Sequence, residues 1–339
     1  MDSPIFEKKN VLVTGGAGFI GSHLCEQLLK QAKVICLDDF SNSNTTNIEH
    51  LLQYPDFEFI NWDVNKPVNL DQFAELEKFK VKFQGIQEIY HLACPTNPKE
   101  FENQKIQTIM GNSAAMINSL SLAVKYHAKY VFTSSAVVYG PSTEPNQILK
   151  ESDLGKFDHL SERACFDEGK RFAETCVATF RQVYGVDAKI ARVFTTYGPR
   201  MALFEKQLIP DFIINAIEGK DLVIYGDENF STSLCFINDM IDGLMRLMTT
   251  GPDVNLVNLG GDHAYRYAEV AEAIIKMTNS TSKLVFEKPL LFLTSKGIPD
   301  LNYARSALGW IPIVPLADGL EKAVSYVVAN RKALQFGRK

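Results

Sequence analysis

Val13-Thr14-Gly15-Gly16-Ala17-Gly18-Phe19-Ile20-Gly21 is the stretch on which the reading of this 339-residue chain turns. The run Asn10 to Thr14 before it reads as a short strand, and Ser22 to Lys30 after it as an amphipathic helix with Leu24, Leu28 and Leu29 turned inward. Between them Gly15, Gly18 and Gly21 follow a G-x-x-G-x-x-G spacing. A tight turn, a backbone approached by a ligand, and a helix packed closely on its strand each need a residue without a Cβ. A strand, a glycine turn and a helix in this order form a site for a pyrophosphate at a helix N-terminus.

Gly15, Gly18 and Gly21, with the Phe19 and Ile20 amides, are therefore the predicted pyrophosphate cradle. A second strand over Lys33 to Leu37 ends in Asp38, at the distance where a carboxylate accepts both ribose hydroxyls of an adenosine. That carboxylate would repel a 2′-phosphate, so NAD is predicted over NADP.

The rest of the composition agrees with a cytoplasmic enzyme that takes a small-molecule substrate. The chain is 46% hydrophobic with a net charge of −5, and no Lys/Arg cluster marks a nucleic-acid surface. Met1 to Asn10 is polar and runs straight into the first strand, so no signal peptide is expected, and no apolar run is long enough to span a membrane. Cys25, Cys36, Cys94, Cys165, Cys176 and Cys235 are scattered without metal-ligand spacing, which predicts buried thiols without disulfides or zinc.

Outward from the glycine turn, strands and helices alternate. Phe57 to Asn61, Glu88 to Ala93, Lys129 to Ser134 and Ala188 to Phe194 read as further strands, with helices over Ile106 to Tyr126 and Arg163 to Tyr184. This predicts the α/β class, a Rossmann doubly wound parallel sheet over residues 1–197. The rhythm then changes to a helix over Leu208 to Gly219, a strand over Leu222 to Gly226 and a helix around Asp239 to Met248. Residues 198–339 are predicted to form a smaller substrate-binding lobe closing over the cofactor cleft.

With these elements placed, the chain resembles the extended short-chain dehydrogenase/reductases, the NAD-dependent epimerase/dehydratase family, and within it the UDP-glucuronate decarboxylases (UDP-xylose synthases). The matching segments are Thr14 to Leu24, Tyr90 to Pro95, Thr133 to Gly140, Cys165 to Arg171, Ala191 to Met201 and Leu308 to Trp310. The run Phe204 to Pro210 is instead similar to the dTDP-glucose dehydratases. The resemblance implies a bound NAD that takes a hydride from a sugar carbon and returns it, with decarboxylation or loss of water between the two steps and no metal. It implies that Asp63 and Val64 flank the adenine, that Leu92 and Ala93 line its far side, and that Lys170 bonds the nicotinamide ribose. The catalytic trio that the resemblance implies is incomplete. Ser135 matches the residue that hydrogen-bonds the reacting hydroxyl, but the tyrosine four residues before Lys170 is Phe166.

Loss of a positioned general base costs ~10²- to 10⁴-fold in rate. Val137 also stands where the decarboxylases have glutamate, Thr195 where they have asparagine, and Thr232 where an arginine meets the substrate diphosphate. A second basic position before Pro299 appears as Gly297-Ile298; Arg200, Lys206 and Lys220 are the cations left to compensate. Three explanations stand. Phe166 is an engineered trap, which leaves Val137, Thr195 and Thr232 unexplained; or the chain is an enzyme with altered chemistry or substrate; or it is an NAD-binding pseudoenzyme, a scaffold or sensor without turnover.

For an enzyme, Tyr139, Cys94, Cys165, His91 and Glu168 join Ser135 as substitute proton acceptors. Each has a plainer reading: packed thiols, a core histidine, a wall tyrosine, and a Glu168–Arg171 ion pair. Members of the resembled family dimerise through two long helices, here 106–126 and 163–184. Met116, Leu120 and Val124 form an apolar stripe that faces either such a partner or the protein's own sheet.

Overall fold

In the computed structural model, residues 8–142, 144, 146–203, 205–290 and 297–336 are described. Phe204 of the dehydratase-like run and residues 1–7 of the N-terminal segment lie outside them. Seven parallel strands form the central sheet: β1 (Lys9–Thr14), β2 (Ala32–Asp38), β3 (Phe57–Asn61), β4 (Glu88–His91), β5 (Lys129–Ser135), β6 (Ala188–Val193) and β7 (Leu256–Leu259). Their spatial order is β7-β6-β5-β4-β1-β2-β3, so the direction of winding reverses between β1 and β4. Ligands of open α/β sheets bind at such a switch point, beyond the carboxyl ends of the strands.

The central strands are apolar on both faces because helices cover both. Val11 and Val13 of β1 enter one core and Leu12 the other; Val34 and Cys36 of β2 divide from Ile35 and Leu37 in the same way. The helices used below are α1 (Phe19–Leu28), α2 (Lys105–Gly111), α3 (Ala114–Tyr126), α4 (Ala164–Tyr184), α5 (Leu208–Ile217), α6 (Ile237–Thr249) and α7 (Tyr267–Met277).

Two sequence expectations change in detail, and one alternative left open is decided. The helix expected over 106–126 is two helices, broken at Asn112 and Ser113, where the Asn112 amide turns back to Thr108 O (2.9 Å) and reaches Cys94 Sγ (3.2 Å). The apolar stripe of Met116, Leu120 and Val124 faces the protein's own sheet, with Met116 and Leu120 wholly buried. Finally, the cut at 197/198 in chain order leaves one strand of the sheet on its far side, because β7 pairs with β6 in parallel register from Leu256 opposite Ile190 to Leu259 opposite Val193. One core accordingly runs from Val11 through Phe212 and Ile224 to Val327. The outer elements are short pairs: Ser231–Ser233 with Ala264–Arg266, and Leu222–Tyr225 with Leu284–Glu287.

Candidate active site

The glycine turn is shaped by contact distances. Gly15 has φ +71°, and a Cβ there would lie 2.8 Å from Ala93 N; a Cβ on Gly21 would lie 2.1 Å from Gly15 O. The first turn of α1 is thus pressed against the turn that precedes it. Gly18, at the helix N-cap, offers no capping side chain and no acidic residue stands in the first turn, so the Phe19 and Ile20 end of α1 is open to an anion. At the end of β2, Asp38 is 8% exposed. Its Oδ2 accepts the Ala17 amide (3.0 Å), and Oδ1 accepts the Phe40 amide (2.9 Å) and the Ser43 hydroxyl (2.7 Å). Burial pushes its carboxyl above the ordinary aspartate range, against the pull of these bonds.

These groups open onto one cleft of about 1460 Å³, and every residue predicted to bind NAD, together with Ser135, Phe166, Thr195, Arg200 and Thr232, lines it. Asp63 and Val64 are there, and Asp63 also turns the chain by accepting the Asn65 amide at 2.9 Å. Leu92 and Ala93 lie beyond β4 on the same wall. The cradle fits a dinucleotide: glycines where any Cβ would collide, an open helix start, and a carboxylate one strand away.

The chemical end is formed by the end of β5 against α4. Lys170 is buried; its Nζ donates to Thr133 O (3.1 Å) and stands 4.8 Å from the centre of the Phe132 ring. Ser135 lines the cleft and accepts the Val137 amide at 3.4 Å. Phe166 lies one helical turn from Lys170 and is 3% exposed. It packs with Val137 and Phe101 in a small apolar cluster, against which Cys94 and Cys165 rest. Two of the positions at which the resemblance implied a departure, 137 and 166, are therefore in one contact group.

The substitute acceptors fare unequally. His91 is fully buried with Nδ1 against Thr14 Oγ1 (2.7 Å), and burial, aided by the Lys170 charge, pushes its pKa down to about 3. Its Nε2 finds no hydrogen-bond partner among the described residues. Tyr139 donates to Asn258 Oδ1 (2.7 Å), and burial pushes it up to about 12. Burial likewise pushes the Cys165 thiol up. Glu168 pairs with Arg171 at 3.5 Å, the local ion pair expected of that spacing.

In the substrate half, the Thr195 and Thr232 hydroxyls lie 3.0 Å apart, and Tyr267, at the start of α7, lines the same part of the cleft. Of the three cations left to compensate, Arg200 alone lines the cleft. Its Nη2 pairs with Glu26 of α1 and approaches His50 Nε2 (3.2 Å), whereas Nη1 is buried without a hydrogen-bond partner among the described residues. Lys220 is spent on Glu218 at 2.6 Å. At Gly297 a Cβ would meet Gln147 O at 2.3 Å, so that position holds no side chain, basic or otherwise. Sequence reading missed Glu26, which meets Arg200, and Tyr267, which lines the cleft, because each reaches the site through the fold and no local spacing announces it. Among the described residues no group of His, Cys, Asp and Glu could hold a metal, and no helix is long and apolar enough to cross a membrane.

A sequence model of the NAD dependent epimerase/dehydratase family matches residues 11–260. UDP-glucuronic acid decarboxylase 1 of Arabidopsis thaliana is 34% identical over 320 residues, covering 94% of this chain and 70% of that protein. The Xenopus tropicalis protein of the same name is 32% identical over 322 residues, covering 94% and 72%. Among solved structures, an epimerase from Methanothermobacter thermautotrophicus superposes with a TM-score of 0.85 at 25% identity, covering 98% of this chain and 95% of that one. A tyrosine-to-phenylalanine variant of the Bacillus cereus UDP-glucuronic acid 4-epimerase, in complex with UDP-4-deoxy-4-fluoro-glucuronic acid and NAD, gives 0.81 at 26% identity, covering 94% and 99%. Together with the glycine cradle, Asp38 and the buried lysine of α4, these likenesses make the chain a member of the NAD-dependent epimerase/dehydratase family.

Proposed function

We propose that the chain is an NAD-dependent enzyme acting on a nucleotide sugar with altered chemistry or an altered substrate, because no ionisable side chain stands at position 166. The observation that carries this reading is the convergence of Ser135 and Lys170 on one wall of the cleft, with Phe166, Val137 and Phe101 closed into an apolar cluster beside them. When bound, NAD supplies a reversible hydride acceptor. Lys170 holds a positive charge at the floor, fixed by Thr133 O. Ser135 keeps its hydroxyl proton for a substrate oxygen, since its own oxygen takes the Val137 amide. Phe166 keeps water from the reacting carbon but can neither take nor give a proton. Thr195, Thr232 and Gly297 support a changed substrate half, where hydroxyls and bare backbone stand in the positions that in the resembled enzymes are polar or basic. The exposed apolar residues Ile109, Met110, Ile117 and Phe172 on α2, α3 and α4 support a homodimer through those helices.

The apolar cluster also favours a second reading, an NAD-binding protein without turnover. The two separate in one experiment. Purified protein with NAD is given UDP-glucuronate and a panel of other UDP- and dTDP-sugars, while absorbance of reduced nicotinamide and the mass of each sugar are followed. The enzyme reading expects reduced nicotinamide or a mass change with at least one sugar. Bound NAD that no sugar reduces or converts supports the second reading, and fast loss of CO2 from UDP-glucuronate alone would refute altered chemistry and substrate together.

A further inference from the structure

Three successive residues at the end of β5 face three different partners. Thr133 O accepts the Lys170 ammonium, Ser134 Oγ donates to Glu174 Oε1 at 2.6 Å, and Ser135 lines the cleft. On α4 the partners stand one turn apart, with Phe166, Lys170 and Glu174 along a single stripe. Two polar rungs therefore pin the helix to the strand.

Glu174 is itself held. Arg192 of β6 grips it with Nε (3.0 Å to Oε1) and Nη2 (2.8 Å to Oε2), and spends Nη1 on Glu151 O (3.0 Å). The guanidinium lies 4.6 Å from the centre of the Tyr139 ring, whose hydroxyl reaches Asn258 of β7. The Arg192 and Glu174 side chains are only 11% and 13% exposed, and neither lines the cleft. A planar two-point grip fixes both the height and the rotation of a helix, which a point charge does not.

We propose that Glu174 and Arg192 are positioning residues for the nicotinamide end of the cofactor site. By locking α4 against β5 and β6 they set where the Lys170 ammonium and the Ser135 hydroxyl meet a ligand. The adenosine end, hung on α1 and Asp38, is independent of them. The inference rests on NAD as cofactor with Lys170 at its nicotinamide ribose.

The test compares NAD with ADP, which lacks the nicotinamide half, by calorimetric titration of the full chain. Glu174→Gln should weaken NAD about tenfold, ~1.4 kcal/mol, and leave ADP unchanged. Ser134→Ala removes one rung and leaves no buried charge unpaired, since Glu174 keeps Arg192, so it serves even where Glu174→Gln does not fold; it should weaken NAD about threefold with ADP again unchanged. Equal weakening of NAD and ADP, or no weakening of either, would overturn the proposal and leave the pair a support of the fold. A wild-type protein that gains nothing from the nicotinamide half would overturn the placement of Lys170 along with it.

Discussion

The two ends of the cleft are built from different materials. At the α1 end the determinants are chiefly backbone, joined by the Asp38 carboxylate: Gly15 and Gly21, whose missing Cβ atoms leave no clearance, and helix amides that no side chain caps. At the α4 end they are side chains: Lys170, Ser135 and the cluster of Phe101, Val137 and Phe166. Backbone geometry offers few alternatives, since a change there either collides or exposes a turn. Side-chain chemistry can be exchanged inside an intact frame, and a phenylalanine fills the volume of a tyrosine while removing its acid–base function. A dinucleotide cradle and a reaction are thus separable properties of one sheet.

The largest expected effect tests the cradle. Gly21→Val places a branched side chain where even a Cβ would lie 2.1 Å from Gly15 O. Overpacking of this kind costs ~1–3 kcal/mol or more, and a loss at the upper end of that range, taken from the site that the helix start forms, is expected to weaken NAD by about 10²-fold or more. A melting curve and an NAD titration measure the two losses. An unchanged NAD affinity would mean that the α1 end is not the cofactor site.

The same division explains what could be read in the sequence. The strand, turn and helix at residues 10–30 are consecutive, so local spacing announces them, and Asp38 follows one strand later. The α4 face is legible for the same reason, because Phe166 and Lys170 are four residues apart on one helix. What stayed hidden depends on contacts between distant segments. Arg200 meets Glu26 across 174 positions, and Tyr139 meets Asn258 across 119. The return of β7 to the sheet belongs here too, since a four-residue apolar strand after position 250 looks the same in either lobe. The stripe on α3 has the period of a buried face and nothing in that period tells sheet from partner.

A smaller effect is expected at the chemical end. Phe166→Tyr returns an ionisable hydroxyl one turn from Lys170, where a positive charge favours its ionised form. A positioned general base contributes ~10²- to 10⁴-fold, and a gain of about 10²-fold in the rate of nicotinamide reduction by a UDP-sugar is expected, the low end because Val137 and Phe101 keep the surroundings apolar. Stopped-flow absorbance measures it. No gain would show that the reaction is limited elsewhere in the cleft, and would weaken the contrast between its two ends.

The smallest effect tests the seam where the ends meet. His23 of α1 donates Nε2–H to Pro199 O at 2.9 Å, joining the cradle helix to the loop that carries Arg200. Burial first, and the Arg200 charge second, push its pKa down to about 4 from an ordinary 6.5. Between those values the unfolded chain binds a proton that the folded chain refuses, so stability rises with pH across the interval. The contribution is present above pH 6.5 and is lost as pH falls through about 4. A shift of that size corresponds to roughly 3 kcal/mol. His91 adds to the same acid slope from inside the sheet, with a pKa pushed down to about 3. His23→Gln separates them, because its amide can still donate to Pro199 O and has no proton to refuse. Unfolding free energies measured across pH 4 to 7 should lose part of their slope in the variant while keeping the His91 share. An unaltered slope would mean that His23 stays open to solvent, and that the two ends of the cleft are less tightly joined than the Pro199 contact indicates.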